Sequence, residues 1–220
     1  QTIADQALFE AETARDLLLA LAGAQGLAAI ELTPRGAPTA AQDGAITLPH
    51  DARNLVEMLA WHAERHGARR HIELFEDGGH GQVLSYRELW DGAARIAAGL
   101  QAGGLEVGER VALMLPSGAD YFFAFYGVLL AGGVPVPIYP PVRRAQLEEH
   151  LRRQGRILAN AQAAVLITTD DALLVARLLT ASVASLGTVT TVAELGSHGG
   201  RFERAAPAPE ALAFLQYTSG

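Results

Sequence analysis

Cysteine and lysine are both missing from this 220-residue sequence, and each absence excludes a class of chemistry. Without cysteine, the chain forms no disulfide and offers no thiolate to a metal. All 17 basic side chains are arginine, so a reaction that needs a lysine ammonium group cannot be completed within these residues. Since nothing in the composition requires an oxidising compartment, we expect a cytoplasmic protein.

Positive charge is also scarce, and the formal net charge is −7. This argues against a nucleic-acid-binding protein, because such proteins carry basic surfaces. Half of the residues are hydrophobic and 19% are charged, which is typical of an ordinary α/β domain. No basic segment and apolar core follow Gln1, so we expect no secretory signal. Both ends look cut, and we interpret the chain as a piece of a longer protein.

A long uncharged stretch occurs at 121–139, where a membrane-spanning helix has to be considered. Such a helix needs about 20 consecutive apolar residues. Gly132, Gly133, Pro135 and Pro137 interrupt the second half of the stretch. The pattern therefore predicts a helix followed by a buried strand, and no membrane span.

The chain divides into three regions by pattern. Residues 1–24 have apolar side chains at helical spacing, and 25–50 are rich in Ala, Gly, Pro and Thr, which is typical of a linker. In 51–220 strands alternate with helices. Helices are predicted over 54–66, 85–100, 120–131, 146–160 and 171–179, and strands over 72–75, 82–84, 111–115, 134–138, 164–168, 188–192 and 212–216.

The alternation predicts an α/β fold built on a parallel, helix-covered sheet. The glycines at 78–81 make the first two strands a β-hairpin. Ser85 and Glu88 have the spacing of a capping box at the start of a helix. Ligands of a parallel sheet bind at the carboxyl ends of its strands, so the loops that follow the strands are the places to search for a site.

The best local candidate for a site is Tyr217-Thr218-Ser219-Gly220, directly after the apolar residues 212–216. Hydroxyl groups and backbone N–H groups in such a turn can bind phosphate oxygens. Taken alone, the four residues are better explained as an ordinary exit from a strand. The sequence blocks that precede these four residues favour a phosphate-binding loop instead.

Four blocks, in order and at the expected spacing, resemble adenylate-forming enzymes. They are LSYREL at 84–89, GERVAL at 108–113, GVLLAGGVPVP at 127–137 and QYTSG at 216–220. Within that superfamily the sequence most resembles fatty-acyl-AMP ligases. This likeness lies in IYPPV at 138–142, HLRRQ at 150–154 and FLQYTSG at 214–220, and the resemblance as a whole covers 54–220.

The resemblance implies a ligase that uses ATP and Mg²⁺ to convert a fatty acid to acyl-adenylate and pyrophosphate. The acyl group would then pass to the phosphopantetheine thiol of an acyl carrier protein. Thr218, Ser219 and Gly220 would bind the ATP phosphates. The loop lysine, the metal-binding glutamate and the second domain of such enzymes would follow Gly220. We therefore assign no catalytic residue and no metal ligand within this chain, and expect the 220-residue polypeptide alone to be inactive.

Residues 6–18 resemble the end of an acyl carrier protein. There, a segment of the form AxTxxDL precedes the last helix, as it does in this sequence at 11–17. The resemblance implies a parent protein in which a carrier domain is joined in cis to the ligase through the linker 25–50. Tethering would raise the effective concentration of the acceptor thiol.

Two other functions remain open. A sibling enzyme, either an acyl-CoA synthetase or the adenylation domain of a peptide synthetase, would share all four blocks. A non-catalytic, adenylation-like binding module would share the fold without the chemistry.

Four further patterns are interpreted as structural. His62 and His66 have a zinc-binding spacing, but Ala63 stands where a zinc protease needs glutamate. The glycines at 78–81 indicate a hairpin rather than a phosphate loop. The arginines around 146–160 predict a solvated helix face, and the alternative is a surface for an acidic partner such as a carrier protein. The aromatic residues at 121–126 predict a mainly buried face, and the alternative is the lining of an acyl pocket.

Overall fold

The structure is a computed structural model, and it describes residues 47–76, 79–140 and 147–218. The helices are α1 (Leu55–Arg65), α2 (Tyr86–Ala102), α3 (Ala119–Ala131), α4 (Leu147–Ala161), α5 (Asp170–Arg177) and α6 (Val192–Ser197). The strands are β1 (Arg70–Glu76), β2 (Gly79–Ser85), β3 (Arg110–Met114), β4 (Val134–Pro137), β5 (Ala163–Thr168) and β6 (Thr188–Thr191), and a 3₁₀ turn, Leu178–Ala181, follows α5. The predicted region 1–24 and most of 25–50 lie outside the described residues, so these boundaries stay predictions.

The predicted helix starts at Asn54 and Ser85 are confirmed. The side chain of Asn54 accepts a hydrogen bond from the backbone N–H group of Glu57 at 2.9 Å. Ser85 accepts from the N–H group of Glu88, whose carboxylate in turn accepts from the N–H group of Ser85 at 2.8 Å. These bonds satisfy donors that the first turn of a helix leaves free, which is why α1 and α2 begin where they do.

The main sheet has four parallel strands in the order β4-β3-β5-β6. Strands β1 and β2 form a separate antiparallel hairpin. Both the predicted parallel sheet and the predicted hairpin are confirmed. Chain order and spatial order differ, since the chain moves from β3 outward to β4 and then crosses over β3 to β5. Such a reversal is where ligands bind in open α/β sheets.

Both faces of the sheet are covered, and alternate residues of β3 show how. Val111 and Leu113 are buried against α2 and α3, whereas Ala112 and Met114 are buried against α4 and α5. Successive side chains of a strand point to opposite faces, so a strand buried on both sides needs an unbroken apolar run. The apolar sequence of β3 meets that requirement.

Two glycines let the helices on one face pack closely. A Cβ atom added to Gly99 in α2 would lie 2.4 Å from the backbone oxygen of Leu195 in α6. One added to Gly127 in α3 would lie 2.6 Å from the Cβ atom of Ile96. Because real Cβ atoms do not approach so closely, the positions of α3 and α6 against α2 depend on these two residues.

Two sequence-based expectations differ from the structure. The predicted strand 212–216 is extended but forms no sheet ladder, although the N–H group of Leu215 donates to the carbonyl oxygen of Pro135 in β4 at 3.1 Å. The neighbouring edge carries Pro135 and Pro137, which have no N–H group to donate in return, so a ladder cannot continue. The helix α6, which begins with a capping box at Thr191 and Glu194, was not predicted.

Candidate functional site

The segment that leads to the predicted phosphate loop runs parallel to β4. Leu212 and Ala213 lie near the amino end of β4, beside Val134. Gln216 lies near its carboxyl end, beside Pro137 and Ile138. The chain therefore reaches position 217 at the carboxyl edge of the sheet. This is the edge at which parallel sheets bind ligands.

Side-chain contacts fix this segment on both sides. The Tyr217 hydroxyl donates to Oδ1 of Asn160 in α4 at 2.6 Å. On the other face, the rings of Phe214 and Phe125 meet edge to face with their centroids 5.8 Å apart. Together with the bond from Leu215 to β4, these contacts hold the segment in place without a strand ladder.

A cavity of about 360 Å³, which we call the carboxyl-edge cleft, lies at the ends of β3 and β4. It is lined by Leu115, Pro116, Ser117, Tyr121, Pro137, Ile138, Tyr139, Pro140 and Gln216. None of these side chains is charged. The cleft can hold an uncharged or weakly polar group, and the Ser117 hydroxyl and the Gln216 amide can orient it through hydrogen bonds.

Of the three predicted phosphate-binding residues, the structure describes Thr218. Thr218 is exposed and follows Tyr217 directly at the carboxyl edge. Ser219 and Gly220 lie outside the described residues, so their predicted role stays a prediction. Thr218 lies two residues beyond Gln216, which lines the cleft, and its role in binding phosphate also stays a prediction.

Burial changes the acidity of one tyrosine in the cleft. It raises the pKa of the Tyr121 phenol above its ordinary value of 10.0, so the hydroxyl stays protonated. A protonated phenol can donate a hydrogen bond but cannot act as a base at neutral pH. Tyr121 is therefore suited to binding rather than to proton abstraction.

Acidic metal ligands do not gather near this edge. Within 47–76, 79–140 and 147–218, no group of three or more His, Asp or Glu side chains is placed to hold a metal ion. The His62 ring instead stacks on Tyr86, with the ring centroids 4.5 Å apart. A Mg²⁺ ion that is held mainly by nucleotide phosphates and water needs no such cluster.

A larger cavity, of about 790 Å³, opens at the amino ends of β3 and β4. Its wall is mostly apolar and includes Leu55, Val56, Leu129, Val134 and Leu212. Ligands of parallel sheets bind at the opposite edge, where the segment 212–217 also ends. We therefore place the candidate site in the smaller carboxyl-edge cleft.

The arginine of the GERVAL block has a structural role. Arg110 Nε donates to the carbonyl oxygen of Ala161 at 2.8 Å, and Nη2 reaches the carbonyl oxygen of Gln162 at 3.3 Å. A third bond runs from Nη1 to the carbonyl oxygen of Gly108 at 3.2 Å. These oxygens include the free carbonyl groups at the end of α4, which a cation stabilises. Arg110 thus joins β3 to α4 and lies away from the cleft.

Other sequence-based interpretations can be compared with the structure. Arg152, Arg153 and Arg156 are exposed on α4, which confirms the predicted solvated face, whereas Arg143 and Arg144 lie outside the described residues. The sequence analysis did not find Ser117, Tyr121, Tyr139 and Gln216 as cleft residues. Ser117, Tyr139 and Gln216 could have been found from their positions in the loops after β3 and β4 or at the end of 212–216, whereas Tyr121 lies within α3.

Comparison with known proteins shows which family this chain resembles. The AMP-binding enzyme profile matches residues 59–220, more than half of the chain. A long-chain-fatty-acid–CoA ligase of Bacillus subtilis (strain 168) is 34% identical over 123 residues, or 56% of this chain and 20% of that protein. The medium-chain-fatty-acid–[acyl-carrier-protein] ligase JamA of Moorena producens is 34% identical over 115 residues, which are 52% of this chain and 19% of that protein.

Solved structures agree with these relatives. A structure from studies of fatty acyl-adenylate ligases of E. coli and L. pneumophila has a TM-score of 0.67 at 28% identity, covering 77% of this chain and 30% of that one. A fatty acyl-adenylate ligase from L. pneumophila, in complex with acyl adenylate and pyrophosphate, has a TM-score of 0.63 at 26% identity. The match covers 78% of this chain and 29% of that one.

The chain spans about a fifth of the length of these two curated relatives. Among the described residues, no helix is long and apolar enough to cross a membrane. The resemblance drawn from the sequence blocks is confirmed, as is the fold expected from it. The chain belongs to the AMP-binding enzyme family.

Proposed function

We propose that this chain is the amino-terminal part of a fatty-acyl-AMP ligase. Such an enzyme joins a fatty acid to ATP, giving acyl-adenylate and pyrophosphate, and then transfers the acyl group to an acyl carrier protein. The observation that carries the proposal is the course of 212–217, which brings Thr218 to the carboxyl edge of a parallel sheet beside an uncharged cleft. The similarity to fatty acyl-adenylate ligases supports it.

The chemistry can be divided among the residues present. The Thr218 hydroxyl, with Ser219 and Gly220, would bind phosphate oxygens of ATP through hydrogen bonds. The carboxyl-edge cleft has no charged lining residue, so positive charge for the phosphates would have to come from other parts of the parent protein and from Mg²⁺. A bound Mg²⁺ would neutralise phosphate charge while the residues of this chain orient the substrates.

The experiment is fatty-acid-dependent exchange of labelled pyrophosphate into ATP, measured on the parent protein with the sequence that follows Gly220. We expect exchange by the wild type and a loss of about 100-fold in kcat/KM for Thr218→Ala, since removal of one anion-stabilising donor has an effect of that order. Thr218→Ser keeps the hydroxyl and is expected to stay near the wild type. A parent protein that binds ATP without exchange would instead favour a non-catalytic binding module.

The acceptor is tested separately. The parent protein is given ATP, a fatty acid and either a phosphopantetheinylated carrier protein or coenzyme A, and the acyl thioester is measured. We expect the carrier to be acylated. Formation of acyl-CoA alone would favour the sibling enzyme, as in the CoA ligase of Bacillus subtilis.

Two parts of the proposal concern the chain itself. The 220-residue polypeptide is expected to give no exchange, because it has no lysine to complete the phosphate loop.

The fused carrier is tested by mass spectrometry of the parent protein after treatment with a phosphopantetheinyl transferase. The expected modification is on a serine upstream of residue 1, and an unmodified protein would contradict the fusion.

A further inference from the structure

Residues 202–207, which we call the connecting segment, lead to 212–217 and have no regular secondary structure. The connecting segment lies against the end of α3. The backbone N–H group of Ala205 donates to the carbonyl oxygen of Leu130 at 3.0 Å, and a Cβ atom added to Gly132 would lie 3.0 Å from the Cβ atom of Ala205. Side-chain amides from two other helices bind the backbone on either side of this contact.

The amide of Gln101, in the last turn of α2, forms two hydrogen bonds with the backbone of Glu203. Its Nε2 donates to the Glu203 carbonyl oxygen at 2.8 Å, and its Oε1 accepts from the Glu203 N–H group at 2.9 Å. A longer bond of 3.5 Å runs from Nε2 to the carbonyl oxygen of Ala131 at the end of α3. A half-turn of the amide would set donor against donor and acceptor against acceptor, so its orientation is determined. Gln101 thus gives Glu203 the pair of bonds that a neighbouring strand would supply.

The amide of Asn54 binds the other end of the connecting segment. Its Oδ1 caps α1 by accepting from the N–H group of Glu57, while its Nδ2 donates to the carbonyl oxygen of Pro207 at 3.4 Å. Aspartate caps a helix as well as asparagine does, but an ionised carboxylate has no hydrogen to donate. The cap alone therefore does not require the amide at position 54, whereas the bond to Pro207 does.

These anchors matter to the candidate site because β4 cannot fix 212–217 through a ladder. The N–H group of Leu215 donates to β4, but the prolines of β4 donate nothing in return. A slip of one residue would move an extended chain by about 3.3 Å. The position of 212–217 therefore depends on its two ends, which are the connecting segment and the bond from Tyr217 to Asn160. Thr218 follows directly and moves with them.

We propose that Gln101 and Asn54 are positioning residues for the reaction proposed above. By binding the backbone of the connecting segment, they set the position of 212–217 along β4 and with it the place of Thr218. The kinetic consequence rests on the proposed function. The effect on 212–217 does not, and it can be measured without activity.

The kinetic test is fatty-acid-dependent pyrophosphate exchange by the parent protein. Gln101→Met keeps the length of the side chain but removes the donor and the acceptor. We expect it to lower kcat/KM for ATP about tenfold, since a small displacement of a positioning group has a large effect, while KM for the fatty acid stays within about twofold. Asn54→Asp keeps the cap and loses the bond to Pro207, and a loss of about threefold is expected. The control is Glu203→Ala, which keeps the backbone groups that Gln101 binds and is expected to stay within about twofold of the wild type.

Amide hydrogen exchange in the 220-residue chain, resolved by NMR, tests the positioning directly. We expect Gln101→Met to speed exchange about tenfold at Glu203, which loses its partner, and at Leu215, which Gln101 does not contact. The N–H group of Ile138 donates to β3 inside the sheet and serves as the internal control. Its exchange is expected to stay at the wild-type rate.

Wild-type kinetics in Gln101→Met would overturn the inference, and so would unchanged exchange at Leu215. Equal acceleration at Leu215 and Ile138 would also overturn it, because this would indicate a general loss of stability. If Gln101→Met fails to fold, Asn54→Asp gives the same comparison with the cap of α1 intact. An inactive wild-type parent protein would refute the proposed function instead, and exchange at Leu215 would still decide whether the two amides position the segment.

Discussion

At the scale of single residues, Arg110 is a residue of a sequence motif whose role is to stabilise the fold. Its guanidinium group bonds to three separate backbone carbonyl groups at the ends of α4 and β3. Lysine keeps the charge but cannot form this fork. We expect Arg110→Lys to lower the free energy of unfolding by about 1–3 kcal/mol in urea titrations, the range for hydrogen bonds to charged groups. Arg156→Lys, on the exposed face of α4, is expected to change it by less than about 0.5 kcal/mol.

Gly99 gives a second prediction at the same scale. A Cβ atom there would meet the backbone of Leu195, which cannot rotate away as a side chain can. We expect Gly99→Ala to destabilise the chain by about 1–3 kcal/mol through overpacking. The control is Gly196→Ala in α6, where an added Cβ meets nothing within 4 Å. If both variants unfolded at the same urea concentration, α6 would not pack on α2 as the structure has it.

At the scale of elements, the start of α6 can be compared with that of α5. Thr191 accepts a hydrogen bond from the N–H group of Glu194 at 3.2 Å, whereas Thr169 forms no side-chain capping bond. Thr191→Ala is therefore expected to cost about 1 kcal/mol of stability. Thr169→Ala is expected to cost less. Thermal unfolding followed by circular dichroism measures both, and a larger loss at Thr169 would contradict the assignment of the caps.

Most elements with local signals could be predicted from the sequence, whereas features that depend on a neighbour could not. Helix α6 is an exception, since it was missed although its capping box at Thr191 and Glu194 is local. The helix start at Ser85 was found because the capping box lies within four consecutive residues. The segment 212–216 was predicted as a strand from its own apolar residues, but a ladder also needs donors on β4, which Pro135 and Pro137 do not supply. The cleft wall at Tyr139 was missed for a similar reason, since Ser117 and Gln216, which line the same cleft, are distant from it in sequence.

At the scale of the whole molecule, half-buried histidines predict how stability depends on pH. Partial burial lowers the pKa of His62 and His150 below the ordinary value of 6.5. Well above pH 6.5 the rings are neutral in both the folded and the unfolded chain, so these groups do not make the free energy of unfolding depend on pH. Below pH 6.5 the unfolded chain binds protons more readily, and the free energy of unfolding is expected to fall.

Urea titrations between pH 7.5 and pH 5, a range that brackets the ordinary histidine pKa, measure this effect. The loss on acidification is expected to be smaller in His62→Gln than in the wild type, because His62 packs against Tyr86 and its Nδ1 atom is buried. His198→Gln, at an exposed position, controls for the removal of any histidine. The same loss in His62→Gln and the wild type would show that His62 does not contribute to the acid sensitivity.

The prolines of β4 have one more consequence, which concerns contacts between molecules. An open sheet edge can pair with the edge of another copy, and this is a common route to aggregation. The segment 212–217 covers the outer edge of β4 in the folded chain, and Pro135 and Pro137, which face that edge, have no N–H groups to offer before it is covered. A neighbouring molecule therefore cannot build a continuous ladder there, and this side of the sheet is protected against self-association while the chain folds.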